Sequence, residues 1–203
     1  MSRPSSSLVR SLCVFCGSSS GTDPEYVETA RTFGTLLADR GITLVFGGGD
    51  IGMMGALSRS CREKGGSVLG VITEQLIAIE KPAMNGYELV VMKSMHERKN
   101  YMYEASDAFC ILPGGYGTLD EAFEAITWRQ LTLHDKPIVI VNTNGYWNPL
   151  ITLLESVIAE KFASPETRRL YSVAPDAESA LDMIDRELTN PIPPSVRANT
   201  FAF

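Results

Sequence analysis

The sequence predicts an α/β protein with a doubly wound, Rossmann-like parallel sheet and helices on both faces. Short, continuously apolar segments alternate along the chain with longer amphipathic ones, which is typical of a parallel sheet buried on both sides. Glycine-rich turns follow two of the apolar segments, at residues 47–52 and 113–117. Because ligands bind such sheets at the carboxyl ends of the strands, these turns are the first places to look for a site.

The elements are placed by apolar runs, by helical spacing and by glycine or proline at their boundaries. Strands are predicted over residues 8–16, 42–46, 67–72, 87–92, 108–112, 137–141 and 170–173. Helices are predicted over residues 24–40, 52–64, 94–105, 118–133, 147–160 and 176–188. The remaining long segment, 73–86, is irregular and is predicted to be a loop that includes a turn of helix.

Length and charge limit the organisation and the partners of the chain. The 203 residues suit one domain, predicted over 1–190, and a proline-containing tail over 191–203. The net charge of −6 argues against a nucleic-acid binder, which needs to attract phosphate backbones. The apolar runs are too short to cross a membrane, and the first residues do not resemble a secretory signal. We therefore expect a cytoplasmic protein.

Cysteines occur at four positions, Cys13, Cys16, Cys61 and Cys110. The first two form a C-x-x-C motif, but they lie in an apolar run that is predicted to be a strand. Two positions three apart on a strand point to opposite faces, whereas redox motifs of this kind lie at a helix N-terminus. Buried structural thiols are therefore favoured over redox chemistry, and no metal site is predicted.

The first glycine turn, residues 47–52, fits the pattern G-x-G-x-x-G between a strand and a helix. Glycines let a backbone approach a phosphate, and the helix N-terminus attracts anions. Two interpretations remain open: a dinucleotide site of an oxidoreductase, and a packing turn without a ligand. The dinucleotide interpretation is the weaker one, because the turn follows the second strand and no acidic residue clearly ends the next.

The second glycine turn leads directly into a helix that carries carboxylates, in the sequence PGGYGTLDE over residues 113–121. A strand, a glycine turn and a helix start form a cradle for an anion. Glu121 is then a candidate catalytic carboxylate. Its spacing from Thr118 also fits a capping box, in which both residues only satisfy backbone groups of the helix N-terminus. Spacing alone does not separate the two roles.

A third motif, SMHERK over residues 94–99, begins the predicted helix after the fourth strand. Ser94 and Glu97 fit another capping box. Arg98 and Lys99 are cations in the first turns, where the helix dipole favours acids, so they are candidates for holding an anionic ligand. An exposed, solvated pair is the alternative, and His96 is interpreted as a surface or core-edge residue and not as a general acid.

Residues 113–121 and 94–99 resemble the two signature motifs, PGGxGTxxE and M-x-x-R-K, of the Lonely Guy family of cytokinin-activating phosphoribohydrolases. The similarity extends through VFCGSS at 14–19, FGGG at 46–49, TW at 127–128 and HDKP at 134–137. Members were once described as lysine decarboxylases, but no lysine here stands in a pyridoxal-phosphate context. The resemblance implies a Rossmann-like homodimer that hydrolyses the N-glycosidic bond of adenosine monophosphate derivatives.

The resemblance also implies roles for individual residues. Arg98 and Glu121 match the catalytic pair of the family. Substrate contacts are implied at Glu80, Lys99, Gly115, Tyr116, Gly117, Thr118, Leu119, Asp120 and Thr127. Further candidates from the other shared segments are Ser18, Gly47, Gly48 and Gly49.

The hypothesis that follows is hydrolysis of AMP or N6-prenyl-AMP to free base and ribose 5-phosphate, with no cofactor and no metal. Glu121 would stabilise the oxocarbenium-like transition state or activate water, and the glycine turn would hold the 5′-phosphate. The main alternative is a non-catalytic nucleotide-binding module that uses the same two turns. The preferred base is left open by the sequence.

Overall fold

A computed structural model describes residues 8–82 and 86–193. Its seven strands form one sheet in the order β4-β3-β2-β1-β5-β6-β7, and every neighbouring pair is parallel. The strands are β1 (Ser11–Phe15), β2 (Thr43–Phe46), β3 (Val68–Thr73), β4 (Glu88–Met92), β5 (Ala108–Ile111), β6 (Ile138–Val141) and β7 (Ser172–Ala174). The strand order reverses between β1 and β5, which confirms the predicted doubly wound α/β fold and marks the point where ligands bind.

Helices connect the strands. They are α1 (Pro24–Asp39), α2 (Gly52–Glu63), α3 (Glu74–Glu80), α4 (Met95–Glu104), α5 (Tyr116–Gln130), α6 (Asn148–Ala159) and α7 (Ala177–Thr189). Two short 3-10 helices, Thr143–Gly145 and Pro165–Leu170, lie in the loops before α6 and before β7.

The core consists of two apolar layers on opposite faces of the sheet. Alternate residues of β1 enter different layers: Leu12 and Val14 pack with α1, α2 and α7, whereas Cys13 and Phe15 pack with α4, α5 and α6. Cys16, just after β1, joins the first layer. The two thiols of the C-x-x-C motif therefore face opposite sides, as predicted, and burial raises the pKa of both.

Two predicted boundaries are wrong. Half of the predicted loop, residues 74–80, is helix α3; this helix has only seven residues, too few to show a helical period in the sequence. Helix α5 begins at Tyr116 instead of residue 118, and its N-cap is Gly115. Thr118 is therefore an interior residue of the first turn, and the capping-box interpretation of Thr118 and Glu121 is wrong.

Within residues 8–82 and 86–193, no helix is long and apolar enough to cross a membrane. Residues 83–85 of the predicted loop and residues 194–203 of the predicted tail lie outside the described part of the chain.

Candidate functional site

A cleft of about 320 Å³ opens where the strand order reverses. The loops after β1 and β5 form one wall, and α3, α4 and the first turns of α5 form the rest. Ten of the candidate residues line the cleft: Ser18, Glu80, Arg98, Lys99, Gly115, Tyr116, Gly117, Thr118, Asp120 and Glu121. The motifs at 94–99 and 113–121, which are separated by the rest of helix α4 and by strand β5, thus meet in one site.

The N-terminus of α5 presents backbone amides to this cleft. Its N-cap, Gly115, has no side chain, and no side chain caps the helix. The N–H groups of Gly115, Tyr116, Gly117 and Thr118 have no acceptor among the described residues. Such a helix end carries a partial positive charge and free donors, so it can bind a phosphate group.

Arg98 is a buried side chain, 6% exposed, and the alternative of an exposed cation is wrong for this residue. Its Nε donates to the Val71 carbonyl at 2.8 Å, and its Nη2 donates to the Gly47 carbonyl at 3.3 Å. The helix that carries it starts with the predicted capping box of Ser94 and Glu97. The guanidinium is therefore held in one orientation by strand β3, the turn after β2 and helix α4.

Glu121 faces Arg98 across the cleft, with 3.4 Å between its Oε1 and Nη1 of the arginine. Burial raises the pKa of Glu121 to about 7; Arg98 opposes the rise, and the like charge of Asp120 adds to it. A carboxyl group with this pKa exchanges its proton near neutral pH, which suits a general base. Perturbed groups of this kind concentrate at functional sites.

Lys99 and Glu80 complete the charged groups of the cleft. Nζ of Lys99 lies 3.2 Å from Oδ2 of Asp120 and 3.0 Å from Oε1 of Glu124. Burial raises the pKa of the Glu80 carboxyl, although Arg98 opposes the rise. Oε2 of Glu80 is buried and has no partner among the described residues, so this oxygen is available to a ligand hydroxyl.

The first glycine turn, residues 47–52, is packed closely against neighbouring side chains. A β-carbon at Gly47 would lie 2.5 Å from Nη2 of Arg98, and one at Gly49 would lie 3.2 Å from the Glu80 side chain. The first amides of α2, from Met53 and Met54, donate to the carbonyl of Gly17. These contacts favour the packing interpretation over the dinucleotide site, because the helix N-terminus is already occupied.

Five candidates do not line the cleft. Leu119 packs against the core, and Thr127 lies on the exposed side of α5. Gly47, Gly48 and Gly49 lie behind the cleft, where Gly48 has a φ of 81° and packs against Ile72.

Sequence reasoning missed several residues that line the cleft: Cys16, Gly17, Met54, Leu76 and Met95. Three of them, Met54, Leu76 and Met95, give the cleft an apolar part. Leu76 was missed because it lies in α3, which was predicted to be a loop. Met95 stands in the M-x-x-R-K motif and could have been included on that ground.

The sequence of this chain is similar to those of known proteins. A family model described as "possible lysine decarboxylase" matches residues 54–184. A cytokinin riboside 5′-monophosphate phosphoribohydrolase of Arabidopsis thaliana is 44% identical over 174 residues, which are 86% of this chain and 80% of that protein. A probable enzyme of the same name from Oryza sativa subsp. japonica is 42% identical over 182 residues, 90% of this chain and 74% of that protein.

Solved structures share the fold at low sequence identity. The molybdenum cofactor binding protein of Rippkaea orientalis matches with a TM-score of 0.66 and 20% identity, over 88% of this chain and 96% of that one. A Moco carrier protein of Chlamydomonas reinhardtii matches with a TM-score of 0.65 and 21% identity, over 88% and 97%. These likenesses show the fold alone. The match to the family model and to the plant proteins shows more: the chain belongs to the Lonely Guy family of phosphoribohydrolases.

Proposed function

We propose that this protein hydrolyses the N-glycosidic bond of N6-substituted adenosine 5′-monophosphates, releasing the free base and ribose 5-phosphate. One observation carries the proposal: the ion pair of buried Arg98 and half-buried Glu121 lies in the same cleft as the uncapped N-terminus of α5. The names of the plant relatives, which are 42–44% identical, support the same reaction.

The reaction needs a carboxylate beside the anomeric carbon. Water forms a bond from its oxygen to C1′ and loses a proton, while the bond from C1′ to the base breaks and its electron pair leaves with the base, which gains a proton. Glu121, in its ionised form, stabilises the positive charge on the sugar and accepts the proton of water. Arg98 stabilises negative charge that develops on the substrate.

The backbone amides of Gly115, Tyr116, Gly117 and Thr118 hold the 5′-phosphate. Binding energy from this remote group positions the glycosidic bond for attack. Glu80 accepts hydrogen bonds from sugar hydroxyl groups through its unpartnered oxygen. The apolar part of the cleft, formed by Met54, Leu76 and Met95, takes the base.

We further propose that the active form is a cytoplasmic homodimer. Helix α5 and its C-cap residue expose Phe123, Thr127 and Leu131 at i, i+4 spacing, and α6 and the turn after it expose Leu153 and Phe162, at 54% and 80%. A second copy of the chain would cover these apolar side chains. Thr127 would then lie at the interface, so its implied substrate contact would be made next to the partner. The four free, buried cysteines suit a reducing compartment.

The experiment that tests the function is chromatographic detection of free base from AMP and N6-isopentenyl-AMP, with the unphosphorylated nucleosides as controls. We expect base from the monophosphates only. Glu121→Gln should reduce turnover by about 10²- to 10⁴-fold, as for loss of a general base. Glu104→Gln is the matched control, because Glu104 is exposed and bonds only Asn100 in the described structure.

The alternative of a non-catalytic nucleotide-binding module predicts that AMP binds and that no base is released by any form of the protein. That result would overturn the proposed function.

A further inference from the structure

We infer that Tyr146 is a positioning residue, which orients the phosphate-binding turn from outside the cleft; this inference rests on the proposed function. Tyr146 follows the 3-10 helix Thr143–Gly145, in the loop between β6 and α6. Its hydroxyl group donates to the carbonyl of Gly114 at 2.6 Å. Gly114 directly precedes Gly115, the N-cap of α5.

The hydrogen bond fixes the direction of an amide that the phosphate needs. The carbonyl of Gly114 and the N–H of Gly115 belong to one planar peptide group, and in a trans peptide they point in opposite directions. Because the carbonyl is turned towards Tyr146, the N–H of Gly115 is turned away from it. Without the tyrosine hydroxyl, this peptide could rotate and lose the orientation of its donor.

The surroundings make Tyr146 a rigid support. Its ring packs edge-on against Tyr26 at 5.3 Å and against Trp147 at 4.7 Å. The same loop is tied to α1, because Asn144 donates to Asp23 at 2.9 Å. The loop therefore cannot move without breaking contacts to the helix that follows β1.

The site of this contact is a second pocket of about 250 Å³ beside the cleft. Tyr26 and Tyr146 line this pocket but not the cleft, whereas Ser18 and Gly115 line both. Tyr146 can thus act on the phosphate-binding turn without touching the substrate. Its effect should appear in the binding of the phosphate group and not in the binding of the base.

The test compares Tyr146→Phe with wild type and with Tyr26→Phe. Tyr26→Phe removes a hydroxyl from the same pocket, and no contact of that hydroxyl is found within the described residues. For Tyr146→Phe we expect a KM for the monophosphate about two- to tenfold higher at nearly unchanged kcat, because a misoriented Gly115 amide weakens one hydrogen bond to the phosphate in the ground state and the transition state alike. The inhibition constant of ribose 5-phosphate should rise by the same factor, and that of adenine should stay the same.

Two results would overturn the inference: equal KM values for Tyr146→Phe and Tyr26→Phe, or a parallel loss of ribose 5-phosphate and adenine binding, which would indicate general damage to the site. Either result leaves the proposed function intact as long as wild-type protein releases base. Failure of wild-type protein to release base would instead overturn the function itself.

Discussion

The raised pKa of Glu121 predicts a specific pH dependence of catalysis. If the ionised carboxylate is the active form and its pKa is about 7, about a tenth of the enzyme is active at pH 6 and about nine tenths at pH 8. The value of kcat/KM should therefore rise about tenfold between these two pH values. Burial is the main cause of the high pKa, and the like charge of Asp120 adds to it.

Substitution of Asp120 separates this titration from that of the substrate phosphate, whose second pKa is near 6. Asp120→Asn removes a negative charge beside Glu121, so the acid limb of the profile should move to lower pH. Glu104 is exposed and has no proposed role in catalysis, so Glu104→Gln should leave the acid limb of the profile unchanged. Initial rates of base release at constant ionic strength give the profile.

A profile that is flat from pH 6 to pH 8 would refute the assignment of Glu121 as the base. An acid limb near pH 6 that is the same in wild type and in Asp120→Asn would do so as well, because the limb would then belong to the substrate.

Three further predictions concern the support of the site and the stability of the fold. Gly47→Ala should reduce turnover at least tenfold, because its β-carbon would lie 2.5 Å from Nη2 of Arg98; a change below twofold in base release would show that the guanidinium tolerates displacement. Glu187→Gln should destabilise the protein by about 3–5 kcal/mol, because it leaves the buried Arg129 without its carboxylate partner. In thermal unfolding, the melting temperature should fall by roughly 10 °C. An unchanged melting temperature would contradict the argument. Burial lowers the pKa of His134 to about 4, so its neutral form stabilises the fold above pH 6.5, and this contribution is lost as the pH falls towards 4. Between pH 7 and pH 5, the melting temperature of His134→Gln should therefore fall less than that of wild type. An equal fall in both proteins would contradict this prediction.

The sequence predicted the sheet well because its central strands, β1, β2, β5 and β6, are buried on both faces. Each of them lies in an apolar run, and most predicted strand boundaries agree with the structure within one or two residues. Helix α3 was missed because its seven residues are too few to show a helical period. The start of α5 was misplaced because Thr118 and Glu121 have the spacing of a capping box and equally that of two residues within one helical turn.

The burial of Arg98 could not be predicted from the sequence. Its two carbonyl acceptors belong to Val71 and Gly47, 27 and 51 residues away along the chain. The local sequence pattern predicts only a helix with a cation in its first turns. The two carbonyl groups lie next to Arg98 because β2 and β3 are neighbours in the parallel sheet. The same long-range contacts explain why residue 47 is a glycine, whereas the sequence left open whether this glycine serves packing or a ligand.

The charges of the cleft indicate why backbone amides, and not cations, should hold the phosphate. Both cations of the site are already engaged: Arg98 by two carbonyls and Glu121, and Lys99 by Asp120 and Glu124. A phosphate dianion that bound to Arg98 or Lys99 would have to compete with the carboxylates that already bind these cations. The N-terminus of α5 offers donors without formal charge, so it can bind the phosphate while the ion pairs stay intact. Since Glu121 lies on the second turn of the same helix, a phosphate at its first turn fixes the distance between the ligand and the carboxylate through a rigid helical backbone.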